Sequence, residues 1–161
     1  LTQACPKAGG RLALLGAGNC NDVDLDALLS VLGEVHLVDI DREAIASARA
    51  QLGKELQQRV FLHAPVDLSG LLKIWDAART KHPTFAEIDS WPERGAQNVQ
   101  KVLPGLFDLV ASCCVLTQMS WGLRQSLGQN HPFETQAREA LVAISTRAMG
   151  GDSTDDRSDS S

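Results

Sequence analysis

With 161 residues, 43% of them apolar, the chain is long enough for one ordinary domain with its own core. Its formal charge of −5 argues against a broad basic face for gripping nucleic acid, and no apolar run reaches the roughly 18 residues that a membrane-spanning helix needs. Cys5, Cys20, Cys113 and Cys114 lack paired CxxC spacing, which argues against zinc and for reduced thiols in a cytoplasmic protein.

Residues 11–17 form a run that is apolar beyond Arg11, the pattern of a strand buried on both faces of a parallel sheet. Residues 22–32 fit an amphipathic helix with Leu25, Leu28, Leu29 and Leu32 on one face, and Gly33 is expected in the usual position after a helix C-terminus. A second strand is predicted over 35–40. A second helix follows over 42–53, with Asp41 as its N-cap, Ala44, Ile45, Ala48 and Leu52 facing the sheet, and Gly53 ending it. Val60-Phe-Leu-His63 reads as strand three and leads to Val66-Asp67-Leu68. This alternation predicts an α/β fold with a doubly wound, mostly parallel sheet.

Residues 69–80 read as helical, through Leu71, Leu72, Trp75 and Ala78. The polar stretch 81–105, with Pro83, Pro92 and Pro104, is long for a plain connection and is expected to be an insertion near the site or a lid. Strand four is placed in 107–116, with Asp108 as a structural residue at its start. Helices are expected over 117–127 and 133–149, and no strand after Met149. Residues 152–161 hold no apolar side chain, so a domain over 1–151 and a disordered acidic, serine-rich tail are expected. Together with the Leu at position 1, this reads as a fragment or an early-terminated product.

The chemistry concentrates in Gly16-Ala17-Gly18-Asn19 and Asp39. Two glycines after an apolar strand allow a tight turn with room for a ligand against the backbone. An acid at the end of the next strand is placed to accept hydrogen bonds from a ribose diol. A nicotinamide dinucleotide needs a helix N-terminus for its pyrophosphate and normally a third glycine. Here Asn21 holds that third position, and Asp22, Asp24 and Asp26 crowd the expected first helical turn, where they oppose phosphate. A cofactor with cationic groups, such as S-adenosyl-L-methionine, meets no such repulsion.

At these positions the chain resembles the class I, Rossmann-like S-adenosylmethionine-dependent methyltransferases. Gly16-Ala17-Gly18-Asn19-Cys20 is similar to the family's G-x-G-x-G turn against the methionine portion of the cofactor, with Cys20 in place of the third glycine. Val38-Asp39-Ile40-Asp41 looks like the end of the family's strand two, whose first acid binds the ribose. Val66-Asp67-Leu68 resembles the later turn whose carboxylate lies by the adenine amine. Phe107-Asp108-Leu109-Val110 resembles the strand-four motif, which would set Ser112, Cys113 and Cys114 near the methyl-transfer site, and Ala148-Met-Gly-Gly151 faintly resembles the turn before strand five. Leu14 stands where many members carry an acid for the cofactor's amine; Asp22 or Asn21 is the candidate substitute. The resemblance covers about residues 10–151 and implies helices on both sheet faces with the C-terminal strands missing.

The cofactor-binding set expected on this basis is Gly16, Ala17, Gly18, Asn19, Asp22, Asp39, Ile40, Asp67, Leu68 and Ser112, with no metal and no assigned catalytic residue. The implied activity is methyl transfer from S-adenosylmethionine to a small-molecule or protein acceptor. The Asn/Asp-Pro-Pro-aromatic and Pro-Cys motifs of nucleic-acid methyltransferases are missing after strand four. Two other readings compete: an NAD(P)-dependent oxidoreductase, and a non-catalytic remnant of the same fold.

Overall fold

The computed structural model describes residues 8–70, 84–113 and the positions 135, 139 and 140. Four strands, β1 (Arg11–Leu15), β2 (Glu34–Val38), β3 (Val60–His63) and β4 (Leu109–Ser112), form an all-parallel sheet in the order β3-β2-β1-β4. The helices among the described residues are α1 (Leu25–Val31), α2 (Arg42–Ala50), α3 (Lys54–Gln57), α4 (Phe85–Asp89) and α5 (Trp91–Gln100). The fold is α/β, as the alternating apolar pattern predicts.

Successive strand residues point to opposite faces, and the core divides accordingly. Leu12, Leu14, Val35, Leu37 and Val60 bury against Leu25, Leu29, Leu32, Ile45, Ala48 and Leu52, from α1, α2 and the residues after each. The intervening Leu15 and Val38 bury against Val66 and against Val99 of α5.

Several boundaries differ from the sequence reading. The first helix begins at Leu25 rather than 22, because Asp24 caps it through Ala27 N–H, so only Asp26 lies in its first turn. The second ends at Ala50, and Gly53 N-caps α3 instead of terminating α2. Gly33 does follow α1, but the helix ends on Leu32 in extended geometry (φ −91°, ψ 151°), without a left-handed glycine. Gly33 is needed because a Cβ there would lie 2.4 Å from the Gly9 carbonyl oxygen. The stretch 81–105 contains α4, opened by a Thr84–Glu87 capping box, and α5, which accepts Pro92 in its first turn. Strand four is shorter than 107–116. Thr135, Glu139 and Ala140 are helical, within the helix expected over 133–149. Ser69 and Gly70, expected to open the helix over 69–80, lie in a bend instead, and the remainder of that helix, the rest of the one over 133–149, the helix over 117–127, the tail and Cys114 lie outside the described residues.

At the strands' N-terminal ends, Arg11 ties the sheet to the segment before β4. Its side chain donates to Glu34 Oε2 (3.0 Å), Leu106 O (2.9 Å) and Pro104 O (3.0 Å), and stacks over the Phe107 ring at 4.6 Å. Asp108 accepts from Arg11 N–H at 2.9 Å while its own N–H donates to Arg11 O, so it has the structural role expected of it. Arg59 does similar work for α1. Its guanidinium donates to Leu29 O (2.7 Å), Leu32 O and Gly33 O (2.9 Å), supplying donors and positive charge to a helix C-terminus. Arg59→Ala is expected to cost about 2 kcal/mol, read as a lower urea midpoint at unchanged m-value.

Beside Arg11, the buried His36 ring stacks on Phe61 (4.7 Å) and His63 (5.1 Å) and meets Phe107 edge-on. Its Nδ1 lies 2.9 Å from His63 Nε2, a hydrogen bond that needs one ring to keep a lone pair. Burial pulls both imidazoles below their usual value of 6.5; for His63 the neighbouring His36 adds to this. Hydrogen bonds from His36 and Arg11 hold the Glu34 carboxyl below its usual value. In acid the unfolded chain therefore takes up protons before the folded one. Stability is complete above about pH 6.5 and falls as the pH drops through the folded values. A His36→Phe, His63→Phe variant is expected to flatten the pH dependence of the melting temperature between pH 6.5 and 5; an unchanged slope would assign it to other groups.

Candidate functional site

The sheet register sets the site. Ser112, Leu15, Val38 and His63 are level across the strands. The next residues continue the ladder beyond the strand ends: Gly16 N–H donates to Val38 O (2.8 Å), Asp39 N–H to His63 O (3.1 Å) and Cys113 N–H to Leu15 O (2.9 Å). One rim thereby collects the glycine turn, Asp39 and the end of β4. In open parallel sheets of this kind, ligands bind beyond the strands' carboxyl ends where the strand order reverses, here between β1 and β4.

The turn carries three consecutive alternate residues in left-handed backbone: Gly16 (φ 67°), Gly18 (φ 51°) and Cys20 (φ 54°). A Cβ on Gly18 would meet nothing within 4 Å, so the space above it is open. Cys20 adopts the conformation a glycine would take, at a cost of about 1–2 kcal/mol for a residue with a Cβ. Its side chain packs against the α1–α2 core. Burial first, then the neighbouring Cys113 and Asp39, push its thiol up to about 11, so it is protonated at neutral pH.

Asp39 joins the two motifs. Its Oδ2 accepts from Gly18 N–H at 2.7 Å and its Oδ1 from Asp41 N–H at 2.9 Å. Asp41 caps α2 through Glu43 and Ala44 N–H, as predicted, which spares Asp39 that task. Ile40 lies on the same rim, 48% exposed. Asp39 O accepts from Val66 N–H at 2.9 Å, bringing the next turn alongside. There Asp67 Oδ1 accepts from Ser69 N–H (3.0 Å), Ser69 Oγ (2.5 Å) and Gly70 N–H (3.0 Å).

Gly16, Ala17, Gly18 and Asp39 are thus in direct contact or adjacent, with Asp67 one turn away and Ser112 at the end of the neighbouring strand. Leu68 packs inward with Leu15, Val38 and Val99. Asn19 and Asp22 are exposed in the segment leading to α1. Asn19 borders a hollow of about 290 Å³ on the α1–α2 side of the turn, with Asn21, Asp24, Asp26 and Gln51; Gly18 and Asp39 do not line it.

The stretch 81–105, expected as an insertion near the site or a lid, brings α5 to this region, a helix the sequence reading does not place. Asn98 Nδ2 donates to Asp67 O at 3.0 Å, and Gly70 packs directly on the backbone of Arg94 and Gly95. The signal was present in the helical spacing of Trp91, Gly95, Ala96 and Val99, all buried. Among the described residues, no group of three or more His, Cys, Asp or Glu is arranged to hold a metal ion, and no helix is long and apolar enough to cross a membrane. Compared with protein-family models, curated proteins and solved structures, the chain matches none.

Proposed function

We propose that the chain is a Rossmann-like, S-adenosylmethionine-dependent methyltransferase domain acting on a small-molecule or protein acceptor. The observation that carries this reading is the 2.7 Å contact between Asp39 and Gly18, which unites a strand-end carboxylate with an open glycine turn. A carboxylate offers about four acceptor positions, so Asp39 retains capacity for a ribose diol beside its two backbone donors. The strand order, with α1 and α2 packed on one cluster and α5 on another, supports a doubly wound arrangement.

The start of α1 separates the cofactor classes. Asp24 already caps that helix, with Asp22 just before it and Asp26 in its first turn, so a pyrophosphate would meet carboxylates instead of a bare helix N-terminus. A sulfonium and an ammonium gain from the same charges. When bound, the cofactor supplies a methyl group already activated by its sulfonium.

The residues of the chain bind and orient. Asp39 fixes the sugar, the Gly16–Gly18 backbone approaches the methionine portion, and Ser112 stands at the mouth where an acceptor would enter. Such a site accelerates transfer through alignment and exclusion of water. No side chain is assigned as a general base, and the protonated Cys20 is unsuited to act as a nucleophile. A cytoplasmic setting belongs to the same reading.

Calorimetric titration with S-adenosylhomocysteine and with NAD tests the proposal. Heat with S-adenosylhomocysteine alone supports it. Heat with NAD alone selects an oxidoreductase, and heat with neither selects a non-catalytic domain.

A further inference from the structure

We infer that Asn98 is a positioning residue for the purine end of this crevice, acting through the Asp67–Gly70 turn; the inference rests on the S-adenosylmethionine reading above. Asn98 meets the crevice through the main chain of Asp67. Its Nδ2 donates across 31 positions of sequence to Asp67 O, at 3.0 Å. At the far end of the same turn, a Cβ on Gly70 (φ +66°) would stand 2.9 Å from Arg94 Cβ and 3.2 Å from Gly95 N, so the turn is seated on α5 at both ends.

Between those ends, Asp67 Oδ1 takes the Ser69 and Gly70 donors, which orients the carboxylate relative to its own backbone. The placement of the carboxylate is therefore decided by where α5 holds that backbone. Val99, next to Asn98, is buried with Leu15, Val38 and Val66, so α5 cannot slide without uncovering the sheet. Val66 N–H in turn bonds Asp39 O, which sets the spacing between the sugar-binding and base-binding carboxylates. Asn98 thus governs recognition of a purine amino group while leaving the sugar and amino-acid contacts alone.

The test compares S-adenosylhomocysteine with S-inosylhomocysteine, which carries a carbonyl where adenine has its amine. The wild-type chain is expected to prefer the adenosyl ligand at least about tenfold. Asn98→Asp, isosteric but opposing an acceptor to the Asp67 carbonyl, should weaken the adenosyl ligand about tenfold and leave the inosyl ligand within about twofold, erasing the preference. Asn98→Ala should show the same loss of preference to a smaller degree, which keeps the test open should the Asp variant fold poorly. In both variants, amide exchange at Ser69 and Gly70 should quicken without ligand. Equal weakening of both ligands, a preference undiminished in the variants, or no preference in the wild type each overturns the role of Asn98. A wild type that binds neither ligand overturns the methyltransferase reading itself, and the inference with it.

Discussion

Asp39→Ala is expected to weaken S-adenosylhomocysteine binding at least tenfold, about 1.4 kcal/mol, while the domain stays folded. The loss has two sources. The variant removes the acceptor proposed for the ribose, and it strands Gly18 N–H and Asp41 N–H, which now donate to the carboxylate at 2.7 and 2.9 Å. Those bonds go to a charged group at a half-buried site, so a stability loss of about 2 kcal/mol should accompany the change in affinity. Asp39→Asn separates the two: its one amide oxygen can keep one backbone donor, but the charge is gone. Melting temperature should then recover in part while affinity stays low. Unchanged affinity in the Ala variant, measured by calorimetry, would remove Asp39 from the site.

Gly33→Ala is expected to be the most damaging single methyl group in the described structure. The new Cβ would lie 2.4 Å from Gly9 O and 3.0 Å from Gly9 C, both main-chain atoms. Neither segment can retreat freely: Gly33 and Glu34 N–H both donate to Gly10 O, and Gly9 N–H donates to Val31 O. Relief requires breaking that lacing at the start of β1 and β2, and a loss of about 3 kcal/mol is expected in urea unfolding. Gly53→Ala is the matched control. Gly53 has φ −62° and open space around its Cβ position, and the unfolded-state gain of alanine is offset by its poorer N-capping, so the change should stay within about 1 kcal/mol. Equal midpoint shifts in the two variants would refute the close-approach account of Gly33.

The first three strands, the glycine turn, Asp39 and the Asp41 cap were legible because each is a local pattern. An apolar run, a pair of glycines and an acid just ahead of a helix declare themselves within a few residues. What escaped depended on distant partners. The polar stretch with Pro83, Pro92 and Pro104 reads as an insertion or a lid and not as helix, yet Pro92 occupies a first helical turn, where its missing N–H costs nothing. Gly33 was assigned to helix termination, whereas its need comes from a backbone met more than twenty positions earlier. The Arg59 and Asn98 contacts span 26 to 31 residues and exist only once the sheet has assembled. The acids at 22, 24 and 26 were read as one helical turn, but Asp24 caps the helix and so divides them.

The two ends of the parallel sheet are built from unlike materials. Where the strands begin, Arg11, Glu34 and Asp108 lock side chain to side chain and side chain to backbone. Where they end, carboxylates meet main chain, Asp39 on the glycine turn and Asp67 on its own loop. Such a division lets sequence drift at the exposed Asn19 or Ile40 alter the rim above while the foundation below goes on dictating the same architecture.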